Sequence, residues 1–183
     1  MHEVIVDALT AAVLTTRAVL AAVLLASGAA KIADLDSFSR TLAGIGVPER
    51  WSRPLAVATS AAELGLGVLS IVGAWVTLVD SLVLALTIAF VLVTAVAMWG
   101  GRNVACRCFG ALTNSRFGPA ALARAAVLAA AAAFVLTRNP AVEATYDPVS
   151  AGTAMVVVVA ALFAFASAQA ARAVEIVQKE RGA

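Results

Sequence analysis

The strongest constraint on this chain is a repeated one. Long apolar runs, each about the length that crosses a bilayer, alternate with short polar segments. A helix needs about 20 apolar residues to cross a hydrocarbon core of about 30 Å. Such runs lie at about Val4–Ala30, Pro54–Val72, Val76–Met98, Pro119–Leu136 and Val149–Ala171. Inside hydrocarbon every backbone N–H and C=O must be paired within the protein, so each run reads as a helix. The expected fold is all-α: a polytopic membrane helical bundle of five spans. With 62% hydrophobic residues, 13% charged residues and a mean hydropathy of +0.97, the chain leaves no room for a separate soluble domain. Residues 1–183 therefore read as a single integral membrane domain, with the lipid bilayer as its first partner.

Local signals refine this plan. Met1–Thr10 carries Glu3 and Asp7 but no Lys or Arg, so the first span reads as retained rather than as a cleaved signal peptide. Between Lys31 and Arg53, Phe38, Leu42, Ile45 and Val47 recur at helix-like spacing before Pro48, which predicts a short amphipathic helix at the interface. Pro54 suits the first turn of span 2, and Gly73-Ala-Trp75 suits a minimal turn into span 3. Trp75 and Trp99 are expected as interface anchors at the ends of that span. Asn139-Pro140 is expected to break span 4, and Asp147-Pro148 to cap and open span 5. Gly65 and Gly67, with the alanines of spans 4 and 5, predict close helix packing.

The charges set an orientation. With five spans, one side receives ten Lys and Arg residues, from Lys31 to Arg181, and the other receives Arg138 alone. The positive-inside rule then puts the C-terminus and the segment 99–118 in the cytoplasm, in a multi-pass cell membrane protein. The small net charge of +2 lies in loops and acts as a topology signal, with no nucleic-acid footprint. His2 is the only histidine, which excludes bis-histidine haem and a histidine-rich metal site. Two cysteines alone cannot complete a four-thiolate site, so no resident metal is expected. A soft metal shared with another chain is a minor alternative.

Those two cysteines, Cys106 and Cys108, sit one residue apart in the loop between spans 3 and 4. Residues spaced i and i+2 can reach the Cα separation of about 4.4–6.8 Å that a disulfide tolerates. The small ring would be strained, and strained disulfides are the labile, oxidising ones. Arg107 lies between the sulfurs, with Arg102 and Arg116 nearby, and positive charge raises the thiolate fraction. The alternative is two inert side chains in a turn. Within the spans, Glu63, Arg17 and Arg124 are ionisable, and such groups usually face the bundle interior and pair. Glu63 and Arg124 are placed to meet beneath the cysteine loop, with Arg17 able to share Glu63. They form either a structural ion pair or a polar floor for a substrate or quinone headgroup. Asp80 reads as interfacial, and Lys31 as a span-end lysine that snorkels to the surface.

The sequence Cys106-Arg-Cys-Phe-Gly110 resembles the Cys-x-Cys-Phe-Gly signature of the methylamine utilisation protein MauE family, in the wider DoxX-like group of redox-associated membrane proteins. Supporting marks are Arg17, Gly28-x-x-Lys31, Phe38, Gly46-Val-Pro48, Glu63 with its Leu-Gly-Leu-Gly sequel, and Arg124. The resemblance covers about residues 10–137. It implies four core spans, with span 5 an addition, and a role in thiol–disulfide handling during maturation of a disulfide-rich partner enzyme. It also links the group to sulfur or quinone redox chemistry. Such a role needs the cysteines outside the cytoplasm, whereas the charge count places them inside.

The reading that joins these observations is a membrane thiol–disulfide redox protein, a quinone-linked oxidoreductase in its fullest form. Cys106 and Cys108 would exchange with a thioredoxin-fold or other cysteine-containing partner, and Arg107, Glu63, Arg124 and Arg17 would support them. Two alternatives stand beside it. One is a non-catalytic membrane subunit or assembly factor. The other is a small-solute transporter using Glu63 and Arg124.

Overall fold

The computed structural model describes residues 2–73, 75–100, 105–106, 115–116 and 118–143. Five helices account for nearly all of them: α1 (His2–Ala33), α2 (Leu35–Gly44), α3 (Glu49–Val72), α4 (Val76–Trp99) and α5 (Pro119–Glu143). Four, all but α2, are long and apolar enough to cross a membrane, over Asp7–Ala33, Glu49–Val72, Val76–Trp99 and Pro119–Arg138. The expected fifth span, 149–171, lies outside the described residues.

α1 packs closely on α3, α4 on α5, and α1 on α5; the contact of α3 with α4 is slighter. The C-terminal ends of α1 and α4 and the N-terminal ends of α3 and α5 therefore share one end of the bundle, with α2 lying against α3. The core holds Val13, Leu20 and Leu24 of α1, Leu66 of α3, Val79 and Val83 of α4, and Ala132 and Val135 of α5. Outward-facing Leu78, Leu82, Leu92 and Val96 of α4 are 47–64% exposed. A row of that kind is costly in water and at home against lipid chains.

Glycine sets the α1–α3 distance. A Cβ at Gly67 would sit 2.8 Å from Leu25 Cγ and 3.2 Å from the Ala21 carbonyl oxygen. One at Gly28 would sit 2.9 Å from Leu64 Cγ. Gly65 differs from the expectation: it meets nothing within 4 Å, because it lies on the outer face of α3.

The helix ends follow local chemistry. α1 and α2 are separated by Asp34 alone, whose carboxylate accepts from the Ser37 N–H at 3.2 Å and caps α2. Gly46, at φ 104°, and Pro48 turn the chain into α3. α3 starts at Glu49, with Pro48 as its N-cap, so Pro54 lies inside the helix rather than in its first turn. The interfacial residues Arg50 to Arg53 join the helix because their exposed sides can stay hydrated. Gly73 (φ 72°) and Trp75 (φ 45°) make the tight α3–α4 turn in the left-handed region, and Trp75 is 73% exposed. α5 continues to Glu143, past Asn139-Pro140. A proline so near a helix end interrupts only the last bonds of the ladder.

Between α4 and α5 the chain doubles back. β1 (Ala105–Cys106) pairs antiparallel with β2 (Ser115–Arg116), with Cys106 opposite Ser115. The fold remains all-α, with this small ribbon as its one β element among the described residues.

Candidate functional site

Two buried ion pairs organise the interior, and neither is the pairing expected from sequence. Arg17 Nη2 donates to Asp80 Oδ2 at 2.5 Å, joining α1 to α4, with both side chains 5% exposed. Lys31 Nζ donates to Glu63 Oε1, joining α1 to α3, with both side chains fully buried. Asp80 is thus an interior anion rather than an interfacial one. Lys31 does not snorkel, because α2 folds back over it and Glu63 neutralises its charge in place.

The Lys31 site is fully built. Ser27, one turn back on α1, accepts from Nζ at 3.0 Å. The rings of Phe38 (α2) and Phe90 (α4) lie with centroids 5.2 Å and 4.7 Å from the ammonium. Four helices thus contribute to one charge, which the ring faces attract electrostatically. Glu63 uses one oxygen; Oε2 is buried without a hydrogen-bond partner. Ser60, also fully buried, donates to the Ala56 carbonyl at 2.8 Å and is satisfied on its own helix.

The second pair is built differently. Arg17 and Asp80 border a crevice of about 10 Å³, shared with Leu20, Ser70, Val83, Ala132 and Val135. That is near the lower limit for a single water. Arg17 and Lys31 are about 21 Å apart along α1, at about 1.5 Å per residue. Between the two pairs, in helix order, come Leu20 and Leu24 of α1, Leu66 of α3 and Val83 of α4. The interior is therefore layered: a polar layer, an apolar layer, and a second polar layer toward the end that carries α2 and the cysteine ribbon.

Arg124 does not meet Glu63. It is exposed, and its Nε donates to the Ala120 carbonyl at 3.1 Å, one turn back on its own helix. The physical reason is neighbourhood: α3 lies against α1, so Glu63 finds Lys31, whereas α5 packs on α4 and α1. Arg17 is likewise committed to Asp80 and does not share Glu63. Cys106 stands in β1 at the α2 end of the bundle; Arg107 and Cys108 lie outside the described residues.

The family model described as Methylamine utilisation protein MauE matches residues 9–138, more than half of the chain. The chain belongs to the MauE family. The match begins in the first turns of α1, spans both ion pairs and the cysteine segment, and ends on α5 at Arg138, so the four membrane-length helices form the shared body of this MauE family protein. Comparisons with curated proteins and with solved structures found no match.

Sequence reasoning named Glu63 and Arg17 but missed their partners. A usable signal was present. Ser27 and Lys31 are spaced i and i+4 on one face of α1, and Asp80 lies within span 3, where an acid needs a partner.

Proposed function

We propose that this chain is a membrane thiol–disulfide redox protein whose Cys106 and Cys108 cycle between dithiol and disulfide. Support for this reading is the position of the chain's only two cysteines in the sequence between α4 and α5, within the MauE family match, with Cys106 in the ribbon. In the oxidising direction, a thiolate of a thioredoxin-fold or other cysteine-containing partner attacks one sulfur of the Cys106–Cys108 disulfide. A mixed disulfide forms, and the other cysteine leaves as a thiolate. A second partner thiol then resolves it, so the partner gains a disulfide while Cys106 and Cys108 take up two electrons and two protons. A quinone in the bilayer regenerates the pair, accepting those electrons and protons to become the quinol. Arg107, between the sulfurs, favours the thiolate. By analogy with the family's name, the partner enzyme belongs to methylamine utilisation.

The layered interior weighs against solute transport, because Leu20, Leu24, Leu66 and Val83 interrupt the polar groups. The ten-to-one charge bias favours a cytoplasmic cysteine segment.

Trapping tests the mechanism. Cys106→Ser or Cys108→Ser protein, purified under acid quench, is expected to carry a partner as a mixed disulfide that reductant releases. No adduct from either variant, with partner thiols unchanged in the double variant, would sink the exchange reaction. For orientation, a membrane-impermeant maleimide added to intact cells is expected to leave reduced Cys106 and Cys108 unlabelled until the membrane is opened.

A further inference from the structure

One open apolar groove and one buried unpartnered oxygen lie in the same half of this molecule. The groove, about 540 Å³, runs between the α2–α3 turn and the C-terminal half of α4, where α3 and α4 part. Val47, Trp51 and Leu55 form one wall, and Leu92, Val93 and Val96 the other. Both walls are apolar, and Trp51, Leu92 and Val96 are more than half exposed. The groove therefore opens sideways, toward lipid, near the bundle end that carries Trp99.

Along the helices the groove ends short of the Lys31–Glu63 pair. On α4, Val93 follows Phe90 by about one turn, and on α3, Leu55 precedes Glu63 by about two turns, or about 12 Å. Phe90 is partly exposed, and its ring is 4.7 Å from the Lys31 ammonium. One aromatic ring thus stands between the charge pair and the bundle surface. Behind it, Lys31 is committed to Glu63, Ser27 and the two rings, while Glu63 Oε2 accepts nothing. A buried carboxylate oxygen without a donor is costly. Glu63 Oε2 itself lacks a hydrogen-bond donor, and on α4 the groove begins within a turn of Phe90.

We propose that groove and ion pair are the tail and head subsites of one binding site for a lipid-soluble molecule. The occupant has a long apolar chain and a head bearing a hydroxyl. The chain lies between Trp51 and Val96, and the hydroxyl, reaching past a rotated Phe90, donates to Glu63 Oε2. A hydrocarbon or an ether of the same length fills the groove but cannot satisfy the carboxylate. This site is independent of the cysteines and stands whether or not they exchange disulfides.

Trp51 reports directly on the groove. In full-length protein carrying Trp75→Phe and Trp99→Phe, reconstituted in phosphatidylcholine nanodiscs, Trp51 is the sole tryptophan. 11-Bromoundecanol is expected to quench it saturably, at about one-fifth or less of the concentration required by 11-bromoundecyl methyl ether. Glu63→Gln is expected to erase that preference. Since Glu63→Gln can also disturb folding, Val93→Phe with Val96→Phe fills the groove from its lipid-facing side and leaves the ion pair intact; saturable quenching should then vanish. The result must persist with Cys106→Ser and Cys108→Ser, which separates its failure from failure of the redox reading. Equal, non-saturating quenching by alcohol and ether would show the groove filled by bulk lipid alone and overturn the site. So would quenching unchanged by the groove-filling pair.

Discussion

The two interior ion pairs hold the same charges yet do different work. Arg17–Asp80 joins α1 to α4 beside a water-sized crevice, with both side chains slightly exposed. Lys31–Glu63 joins α1 to α3 with no solvent exposure, two aromatic rings around the cation and one carboxylate oxygen left over. The first has the character of a clamp. The second is sealed within the bundle, toward the end that carries α2 and Cys106.

Breaking each pair from its acidic side should expose the difference. Glu63→Ala leaves the Lys31 ammonium sealed without an anion and is expected to cost about 3–5 kcal/mol. Asp80→Ala is expected to cost less, about 2–3 kcal/mol, because a water can enter beside Arg17. Unfolding of both variants in mixed micelles measures the order, and the reverse order would undo the contrast. Removing both charges in Lys31→Met/Glu63→Leu should recover most of the loss, since a buried pair is often replaceable by apolar groups of similar volume. The same double variant should lose the hydroxyl preference at Trp51.

A smaller effect sharpens the α1–α3 side of the comparison. Gly67→Val forces Leu25 and the Ala21 backbone away and is expected to cost about 1–3 kcal/mol. Gly65→Val, facing open space two residues away, should stay within about 0.5 kcal/mol. The smallest effect belongs to Arg124. Its side chain is exposed and bonded to its own helix, so Arg124→Gln is expected to change stability by less than about 0.5 kcal/mol. A large loss would mean that Arg124 reaches a partner after all.

Much of the architecture was legible because the bilayer allows few solutions. The apolar runs mark α1, α3, α4 and α5, and the periodicity of Phe38 and Leu42 marks α2. The boundaries were less legible: α3 begins before Pro54, where exposed Arg50 and Arg53 stay hydrated, and α5 passes Pro140, which interrupts only its last bonds. The ion pairs were half legible. Cost alone says that Arg17 and Glu63 need partners. Which partners depends on helix order and on α2 folding over Lys31, and neither is written in spacing along one strand of sequence.

The amino-acid order alone determined that this protein crosses a membrane as helices, that Arg17 and Glu63 inside it need partners, and that its two sulfurs share one connecting segment. Hydrocarbon thickness and the cost of a bare peptide group leave no other choice. Only the tertiary structure decided that α1 lies against α3, so that Lys31 rather than Arg124 neutralises Glu63. It also decided that α3 and α4 part to leave an apolar groove. That a buried charge needs a partner follows from its cost; pairing is a matter of which helices touch, and that is settled by glycine-controlled approach and side-chain shape.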